Sequence, residues 1–131
     1  MGSERRVAAR YLIDTDVFID HLNGVAKAMA WLSSLEEGEA MVSVVTRAEV
    51  LAGTEDASKR RVVRVLDDYG CLAVTTSVAD RAAELRRQHR WKLPDAFQAA
   101  LAVENGLRLV TRNTKDFAED KHSFVLVPYE L

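Results

Sequence analysis

The sequence of 131 residues lacks several features that mark particular classes of protein. Cys71 is its single cysteine, so no disulfide can form within the chain and no cysteine cluster can hold zinc. It contains no run of eighteen apolar residues for a membrane span, and no apolar segment follows its two early arginines as in a secretory signal. We therefore expect a cytoplasmic protein with no membrane association, in which Cys71 is a buried, inert thiol.

An excess of positive charge is also missing. The formal net charge is -2 at pH 7, which excludes a protein that binds nucleic acid through bulk positive charge. Any contact with nucleic acid must be local. The three histidines, His21, His89 and His122, have no spacing that makes a shared metal site, and we expect each at the surface.

Strand-like and helix-like segments alternate along the chain. Its length suits one domain, residues 1–131, with residues 1–10 as a flexible N-terminal extension. Repeated β-then-α units predict an α/β fold, a three-layer α/β/α domain with a central parallel sheet of four to five strands. The predicted strands are RYLID, EAMVSVV, CLAVT, LRLVT and FVLV. The predicted helices are TDVFIDHL, GVAKAMAWLSSLEEG (ended by Gly38), TRAEVLAG, TEDASKRRVVRVLDDYG (ended by Gly70), SVADRAAELRRQHR and PDAFQAALAVENG.

Four acidic residues follow predicted strands or begin predicted helices: Asp14, Glu49, Asp95 and Asp116. The carboxyl ends of parallel strands lie along one edge of a sheet, so these side chains can converge in one cleft. Each also has a purely structural interpretation. Asp14 can cap a helix, Glu49 can close a capping box with Thr46, Asp95 suits the positive end of its helix, and Asp116 can cap or turn.

Convergence would make these carboxylates repel one another. Two of them about 5 Å apart repel by about 3 kcal/mol at an effective dielectric constant of about 20. Protonation or a bound cation relieves this repulsion, and a set of oxygen ligands suits Mg²⁺ or Mn²⁺ better than zinc. These ions commonly bind substrate phosphate oxygens as well, so phosphoryl chemistry is the leading class of function.

Four strings, LIDTDVFID, TRAEVLAG, LPDAFQAALAVENG and LVTRNTKDF, occur in this order within residues 11–127. Together they resemble the PIN-domain ribonucleases, especially the VapC-type toxins of bacterial and archaeal toxin–antitoxin pairs. The resemblance implies that Asp14, Glu49, Asp95 and Asp116 are catalytic and bind Mg²⁺ or Mn²⁺. It implies an endoribonuclease toxin that hydrolyses RNA phosphodiester bonds with metal-activated water, forms a homodimer and is neutralised by a cognate VapB-type antitoxin.

The resemblance also implies supporting roles beside the four acids. Thr15 and Asn113 match positions that contact metal-bound water or phosphate. Asp16 departs from the pattern, because many relatives have Asn there. A second acid at that position is either an additional contact in the metal shell or a charge at the helix N-terminus, and we favour the latter.

The segment RAAELRRQHRWK is locally basic and leads directly to Asp95. Its arginines Arg86, Arg87 and Arg90 can bind RNA phosphates, with Trp91 stacking on a base. The alternative is a solvated helix face on which Trp91 is a packing residue. By position, Arg112 is a better-placed phosphate contact, because it adjoins the predicted site.

Other functions remain open at this point. One is a different metal-dependent phosphohydrolase or nuclease, acting on DNA or on a small phosphoester. A second is a non-enzymatic, Mg²⁺-binding, receiver-like signalling domain, although such a domain needs an Asp after the third strand and CLAVT contributes none. A third is a PIN-like protein that only binds, which the presence of all four acids disfavours.

Overall fold

The computed structural model describes residues 7–131, and it contains five strands and six α-helices. No helix in this range is both long enough and apolar enough to cross a membrane. In chain order the elements are β1 (Tyr11–Ile13), α1 (Thr15–Leu22), α2 (Ala26–Ser33), β2 (Ala40–Ser43), α3 (Val44–Ala52), a 3₁₀ turn (Asp56–Ser58), α4 (Lys59–Leu66), β3 (Gly70–Leu72), α5 (Thr76–His89), α6 (Leu93–Glu104), β4 (Arg108–Val110) and β5 (Val125–Leu126).

All five strands are parallel and lie in the order β3-β2-β1-β4-β5. This confirms the predicted α/β class and the parallel sheet. The chain moves outward from β1 to β2 and β3, and then crosses to the other side of β1 to form β4 and β5. A crevice therefore opens between the carboxyl ends of β1 and β4, where such sheets bind ligands. The receiver-like interpretation is wrong, because that fold has the order 2-1-3-4-5.

Each face of the sheet is covered by its own helices. Successive side chains of a strand point to opposite faces, so Leu12 and Leu109 pack with α5 and α6, whereas Ile13 and Val110 pack with α1, α3 and α4. All four side chains are fully buried. The result is the predicted three-layer α/β/α domain, with the central strands β1 and β4 buried on both faces.

Helix α6 lies closely against the sheet because its inner face is built from alanine. The residues Ala96, Ala99, Ala100 and Ala102 are all fully buried. Small side chains let the helix backbone approach its neighbours, and α6 packs extensively on α5 as well as on β1 and β4. This close approach brings the polar residues of α6 within reach of the ends of β1 and β2.

Three predicted element boundaries are wrong. Helix α2 ends at Ser33 rather than at Gly38, because the chain turns at Ser34 and Leu35. Gly38, whose φ is +92°, lies in the connection from α2 to β2. Helix α4 ends at Leu66, and Gly70 begins β3 instead of ending the helix. The strand predicted over EAMVSVV stops at Ser43, where α3 begins.

Two predictions about burial are also wrong. Cys71 is exposed rather than buried, because β3 is an edge strand of the sheet. The histidines are half-buried rather than at the surface. His89 stacks on Trp91 with ring centroids 4.2 Å apart, and His122 packs edge-on against both rings.

Hydrogen bonds of the sheet edge include the residue before β1. Arg10 donates its backbone N–H to the carbonyl of Glu39 and accepts from Arg108, at 2.8 and 2.9 Å. These bonds extend the sheet at its amino edge. The flexible extension over residues 1–10 stays a prediction, and residues 1–6 lie outside the described residues.

Candidate active site

Asp14 follows β1 and lies in the crevice between β1 and β4. It caps α1, where one carboxylate oxygen accepts from the Thr15 backbone N–H at 2.9 Å. The same side chain accepts from Gln98 Nε2 at 3.0 Å and from Thr111 Oγ1 at 2.8 Å, and it is only 6% exposed. Helix capping and membership of a polar site are therefore not alternatives for Asp14, which does both.

Asp16 bridges the first turn of α1 to the loop that follows β4. Its carboxylate accepts from the backbone N–H of Val17 at 2.7 Å and of Arg112 at 3.1 Å. A helix N-terminal charge, the role favoured from the sequence, thus describes only part of what this residue does. Asp16 also holds the β4 loop against α1.

Glu49 reaches the site from α3. The predicted capping box is wrong, because α3 begins at Val44 and Ser43 Oγ accepts from the Thr46 N–H at 3.0 Å. The side chain of Glu49 instead accepts from Thr15 Oγ1 at 2.7 Å. Glu49 is exposed, so its carboxylate is open to solvent at the rim of the crevice.

Asp95 lies in the first turn of α6 and is half-buried. Burial and the negative charges of Asp14, Asp116 and Glu49 raise its pKa to about 6, against the opposing effect of Lys92. The structure therefore brings all four predicted acids into one electrostatic neighbourhood, although they come from four separate segments of the chain.

Excess negative charge is the main electrostatic feature of this neighbourhood. Burial raises the pKa of Asp14, although hydrogen bonds from Thr111, Gln98 and Thr15 act against the shift. Burial and the charge of Asp14 together raise the pKa of Asp16 to about 6. Three neighbouring carboxyl groups thus resist ionisation, first because they are buried and second because they lie near other negative charges.

Asp116 is held by its own loop. The Asn113 side chain donates from Nδ2 to Asp116 Oδ2 at 3.1 Å and accepts from the Asp116 backbone N–H at 3.3 Å. The Asn113 backbone N–H in turn donates to Thr111 Oγ1 at 3.0 Å. Thr111 therefore links the loop that carries Asp116 to the Asp14 carboxylate.

The carboxylate oxygens at this edge of the sheet suit a hard divalent cation, but they do not form a complete coordination shell. Among residues 7–131, no three Asp, Glu, His or Cys side chains are close enough together to constitute a metal site by themselves. Mg²⁺ typically retains several waters and takes only one or two protein carboxylates together with substrate phosphates. An open group of carboxylates with raised pKa values suits that mode of binding.

The predicted RNA contact at Arg112 has a different partner in the structure. Its guanidinium donates to both oxygens of Asp20, from Nε at 2.6 Å and from Nη2 at 3.1 Å. Tyr129 Oη donates to the same carboxylate at 2.8 Å. Asp20 is buried, so this arrangement fastens the C-terminal segment and the β4 loop to α1.

The residues at the basic end of α5 and just after it differ in their contacts. Trp91 is 5% exposed and packs on His89 and Phe117, so it is a packing residue and does not stack on a base. Arg86 donates to the Trp91 carbonyl at 2.7 Å. Arg87 and Arg90 are exposed, and only three residues separate α5 from the helix that carries Asp95.

Comparison with known proteins places this geometry in a family. The family model described as PIN domain matches residues 11–121. The chain belongs to the PIN-domain family. It is 37% identical to Ribonuclease VapC10 of Mycobacterium tuberculosis over 112 residues, which cover 81% of this chain and 84% of that protein.

Solved structures agree with this assignment. A chain of a toxin–antitoxin complex from Klebsiella pneumoniae superposes on this PIN domain with a TM-score of 0.85 at 33% identity, covering 92% of this chain and 99% of that one. A chain of FitAcB from Neisseria gonorrhoeae superposes with a TM-score of 0.75 at 25% identity, covering 92% and 99% of the two chains.

Sequence reasoning missed several polar residues of the PIN domain that organise the site. They are Ser43, Gln98, Thr111, Asp20 and Tyr129. Gln98 carried a usable signal, since it is the polar residue in the apolar stretch AFQAALA and lies three positions after Asp95 on the same side of α6. The others depend on contacts between residues far apart in the chain, for which the sequence has no local pattern.

The raised pKa of Asp95 predicts how the metal-free PIN domain responds to pH. Asp95 is harder to ionise in the folded state than in the unfolded state, so its contribution to stability falls as the pH rises from about 4 to about 6. In EDTA, we expect Asp95→Asn to raise the free energy of unfolding at pH 7.5 and to reduce the loss of stability over that interval. Urea unfolding at pH 4.5, 6.0 and 7.5 measures both effects.

Asp80→Asn is the matched control, because Asp80 is exposed on α5. It should leave the pH dependence of unfolding as it is in the wild type. If Asp95→Asn changed stability by the same amount at all three pH values, repulsion at Asp95 would not be the cause.

The contact between Arg112 and Asp20 predicts a structural role for this arginine. Arg112→Ala should lower the free energy of unfolding by about 1–3 kcal/mol, because it leaves a buried carboxylate without its cation. Adding Asp20→Asn should recover part of that loss. Arg47→Ala, which breaks the more exposed ion pair with Asp67, should cost less than about 1 kcal/mol. Equal losses in the two single variants, measured by urea unfolding, would contradict this role.

Proposed function

We propose that this chain is a divalent-metal-dependent endoribonuclease toxin that hydrolyses RNA phosphodiester bonds and is neutralised by a cognate VapB-type antitoxin. The observation that carries the proposal is the convergence of acids from separate segments on Asp95, whose pKa is raised by burial and by the negative charges of Asp14, Asp116 and Glu49. The relative from Mycobacterium tuberculosis is named a ribonuclease, and the Klebsiella pneumoniae relative comes from a toxin–antitoxin complex. Both support the assignment.

The same acids are the proposed metal ligands and catalytic residues. Asp14, Glu49, Asp95 and Asp116 would hold Mg²⁺ or Mn²⁺, and the oxygen-rich donor set suits either ion. When bound, the ion supplies a water of lowered pKa and positive charge to stabilise the reacting phosphate. Thr15, Asn113 and Asp16 are the proposed supporting residues.

These supporting residues act by fixing the acids before substrate arrives. Thr15 donates to Asp14 through its backbone and to Glu49 through its hydroxyl. The Asn113 amide holds Asp116 in the loop after β4. Carboxylates held by hydrogen bonds need little reorganisation when charge develops on the phosphate, which lowers the barrier to reaction.

The same charge distribution supports an antitoxin partner that blocks the cleft. A cleft with several carboxylates that resist ionisation would bind a Lys or Arg side chain favourably, because the cation offsets their repulsion. An antitoxin segment that inserts such a side chain would neutralise the acids and block the cleft. A homodimer and a cytoplasmic location remain predictions from the sequence.

RNA binding near the cleft is proposed for the exposed arginines at the end of α5. Arg87 and Arg90 are exposed, and the chain turns directly from them into the helix that carries Asp95. Arg86 and Arg112 are weaker candidates, because each already donates hydrogen bonds within the domain. Phosphates on either side of the cut site are the proposed ligands.

Cleavage of total RNA by the purified, antitoxin-free protein tests the activity. With Mg²⁺ or Mn²⁺ we expect discrete fragments, and with EDTA none. Asp14→Asn and Asp95→Asn should each lower the cleavage rate by at least about 100-fold, since each removes a charged ligand. Asp80→Asn should cleave like the wild type.

Assays with other phosphate esters distinguish an endoribonuclease from a DNA nuclease or a small-molecule phosphohydrolase. Single-stranded DNA and a small aryl phosphate diester, each assayed with Mn²⁺, should not be cut at a comparable rate. Cleavage of either in preference to RNA would replace the proposed function with the corresponding nuclease or phosphohydrolase. Full activity of Asp95→Asn on RNA would contradict the assignment of the site.

The salt dependence of RNA binding tests the arginines. Arg87→Gln combined with Arg90→Gln should weaken binding and reduce the slope of log affinity against log salt by about 0.7 for each lost phosphate contact. Arg60→Gln combined with Arg64→Gln removes the same charge from the exposed face of α4 and should leave the slope unchanged. The slopes are measured by filter binding in EDTA. Equal slopes for the two double variants would show that Arg87 and Arg90 are solvated and do not bind RNA phosphates.

A further inference from the structure

Gln98 is a fully buried amide in the middle of the acidic site. It is 1% exposed and lies on α6 among alanines. Its side chain contacts Asp14, which follows β1, Ser43, which is the last residue of β2, and Thr46 in the first turn of α3. A polar side chain buried this deeply is costly unless all its hydrogen bonds are made, so the arrangement of those bonds is informative.

The orientation of the Gln98 amide is determined by its neighbours. Ser43 Oγ accepts from the Thr46 backbone N–H, which leaves the Ser43 hydroxyl proton to donate to Gln98 Oε1 at 2.6 Å. On the other side, Gln98 Nε2 lies 3.0 Å from Asp14 Oδ1. A flipped amide would set two acceptor oxygens against each other at that distance, so only one orientation is compatible with the site.

The second proton of Gln98 Nε2 starts a chain of hydroxyl groups. It donates to Thr46 Oγ1 at 2.8 Å, and Thr46 Oγ1 lies 2.9 Å from Thr15 Oγ1. Thr15 donates its hydroxyl proton to Glu49 Oε1 at 2.7 Å. Because Thr15 has only that proton, Thr46 must be the donor to Thr15. Every bond therefore points from Gln98 towards Glu49.

We propose that Gln98 is a positioning residue that orients Asp14 directly and Glu49 through the hydroxyl chain of Thr46 and Thr15. One amide thus sets the relative orientation of two carboxylates, one directly after β1 and one on α3. Neither carboxylate needs to find its orientation when substrate binds, and loss of this arrangement should slow the chemical step more than it weakens RNA binding. The inference rests on the proposed endoribonuclease function.

Gln98→Met tests the proposal, because methionine has a similar size and makes none of these hydrogen bonds. We expect kcat for RNA cleavage to fall by about 10–100-fold while KM changes by less than about threefold. Leu101→Val, a change in the buried face of the same helix outside the hydroxyl chain, controls for a general loss of stability and should retain the wild-type kcat. Circular dichroism and thermal unfolding verify that both variants fold.

Thr46 provides a second test that does not depend on Gln98→Met folding. Thr46→Val removes the hydroxyl and should lower kcat by about three- to tenfold, whereas Thr46→Ser keeps the hydroxyl and should restore it. Combining Thr46→Val with Gln98→Met should cost less than the product of the two separate effects, because both interrupt the same chain.

Nuclear magnetic resonance of the metal-free protein gives a readout that is independent of activity. The two carboxamide protons of Gln98 should exchange slowly with solvent, and Thr46→Val should shift mainly one of them, the proton directed to Thr46. Rapid exchange of both protons, or a kcat for Gln98→Met within twofold of an active wild type, would overturn the role of Gln98 but leave the proposed function in place. Wild-type protein that leaves RNA intact in Mn²⁺ would overturn the proposed function and this inference with it.

Discussion

The buried carboxylate of Asp14 is a constraint on much of the surrounding structure. A carboxylate that is 6% exposed is tolerated only where hydrogen-bond donors replace the water it has lost. Its donors are the N-terminus of α1, the amide of Gln98 on α6 and the hydroxyl of Thr111 at the end of β4. The positions of α1, α6 and β4 are thereby coupled at a single side chain. Any shift of one of these elements would leave the carboxylate short of a donor.

This coupling explains why alanine is so frequent in α6. A helix with larger side chains on its inner face would stand farther from the sheet, and Gln98 would no longer reach Asp14 and Thr46. The alanines contribute less buried apolar area than leucines would, so close approach is obtained with less hydrophobic stabilisation. The domain regains apolar burial on both sides of the sheet through residues such as Leu12 and Ile13. Stability and site geometry are thus supplied by different parts of the sequence.

The sequence was sufficient to predict the class of fold and the convergence of the acids, since both follow from local patterns. Alternating strand and helix signals predict a parallel sheet, and a parallel sheet places strand ends on one edge. Most of the hydrogen bonds within the site were beyond reach, because they join residues 31 to 109 positions apart, from Thr15 with Thr46 to Tyr129 with Asp20. The cap of α3 was misassigned for a related reason. Thr46 and Glu49 have the spacing of a capping box, but the helix begins earlier, at Val44.

Arg112 shows most clearly why adjacency in sequence is a poor guide to ligand contacts. It follows Thr111 in the loop after β4, yet its guanidinium turns to Asp20, where Tyr129 completes the set of donors. An arginine that forms two hydrogen bonds with a buried carboxylate would have to leave an unpaired charge behind in order to bind phosphate. Arg87 and Arg90 carry no such cost, because both are exposed. A polyanion approaching the cleft therefore meets free positive charge on the side of α5 and α6, and negative charge at the ends of β1 and β4. This asymmetry favours a substrate whose phosphates are bound beside the acids.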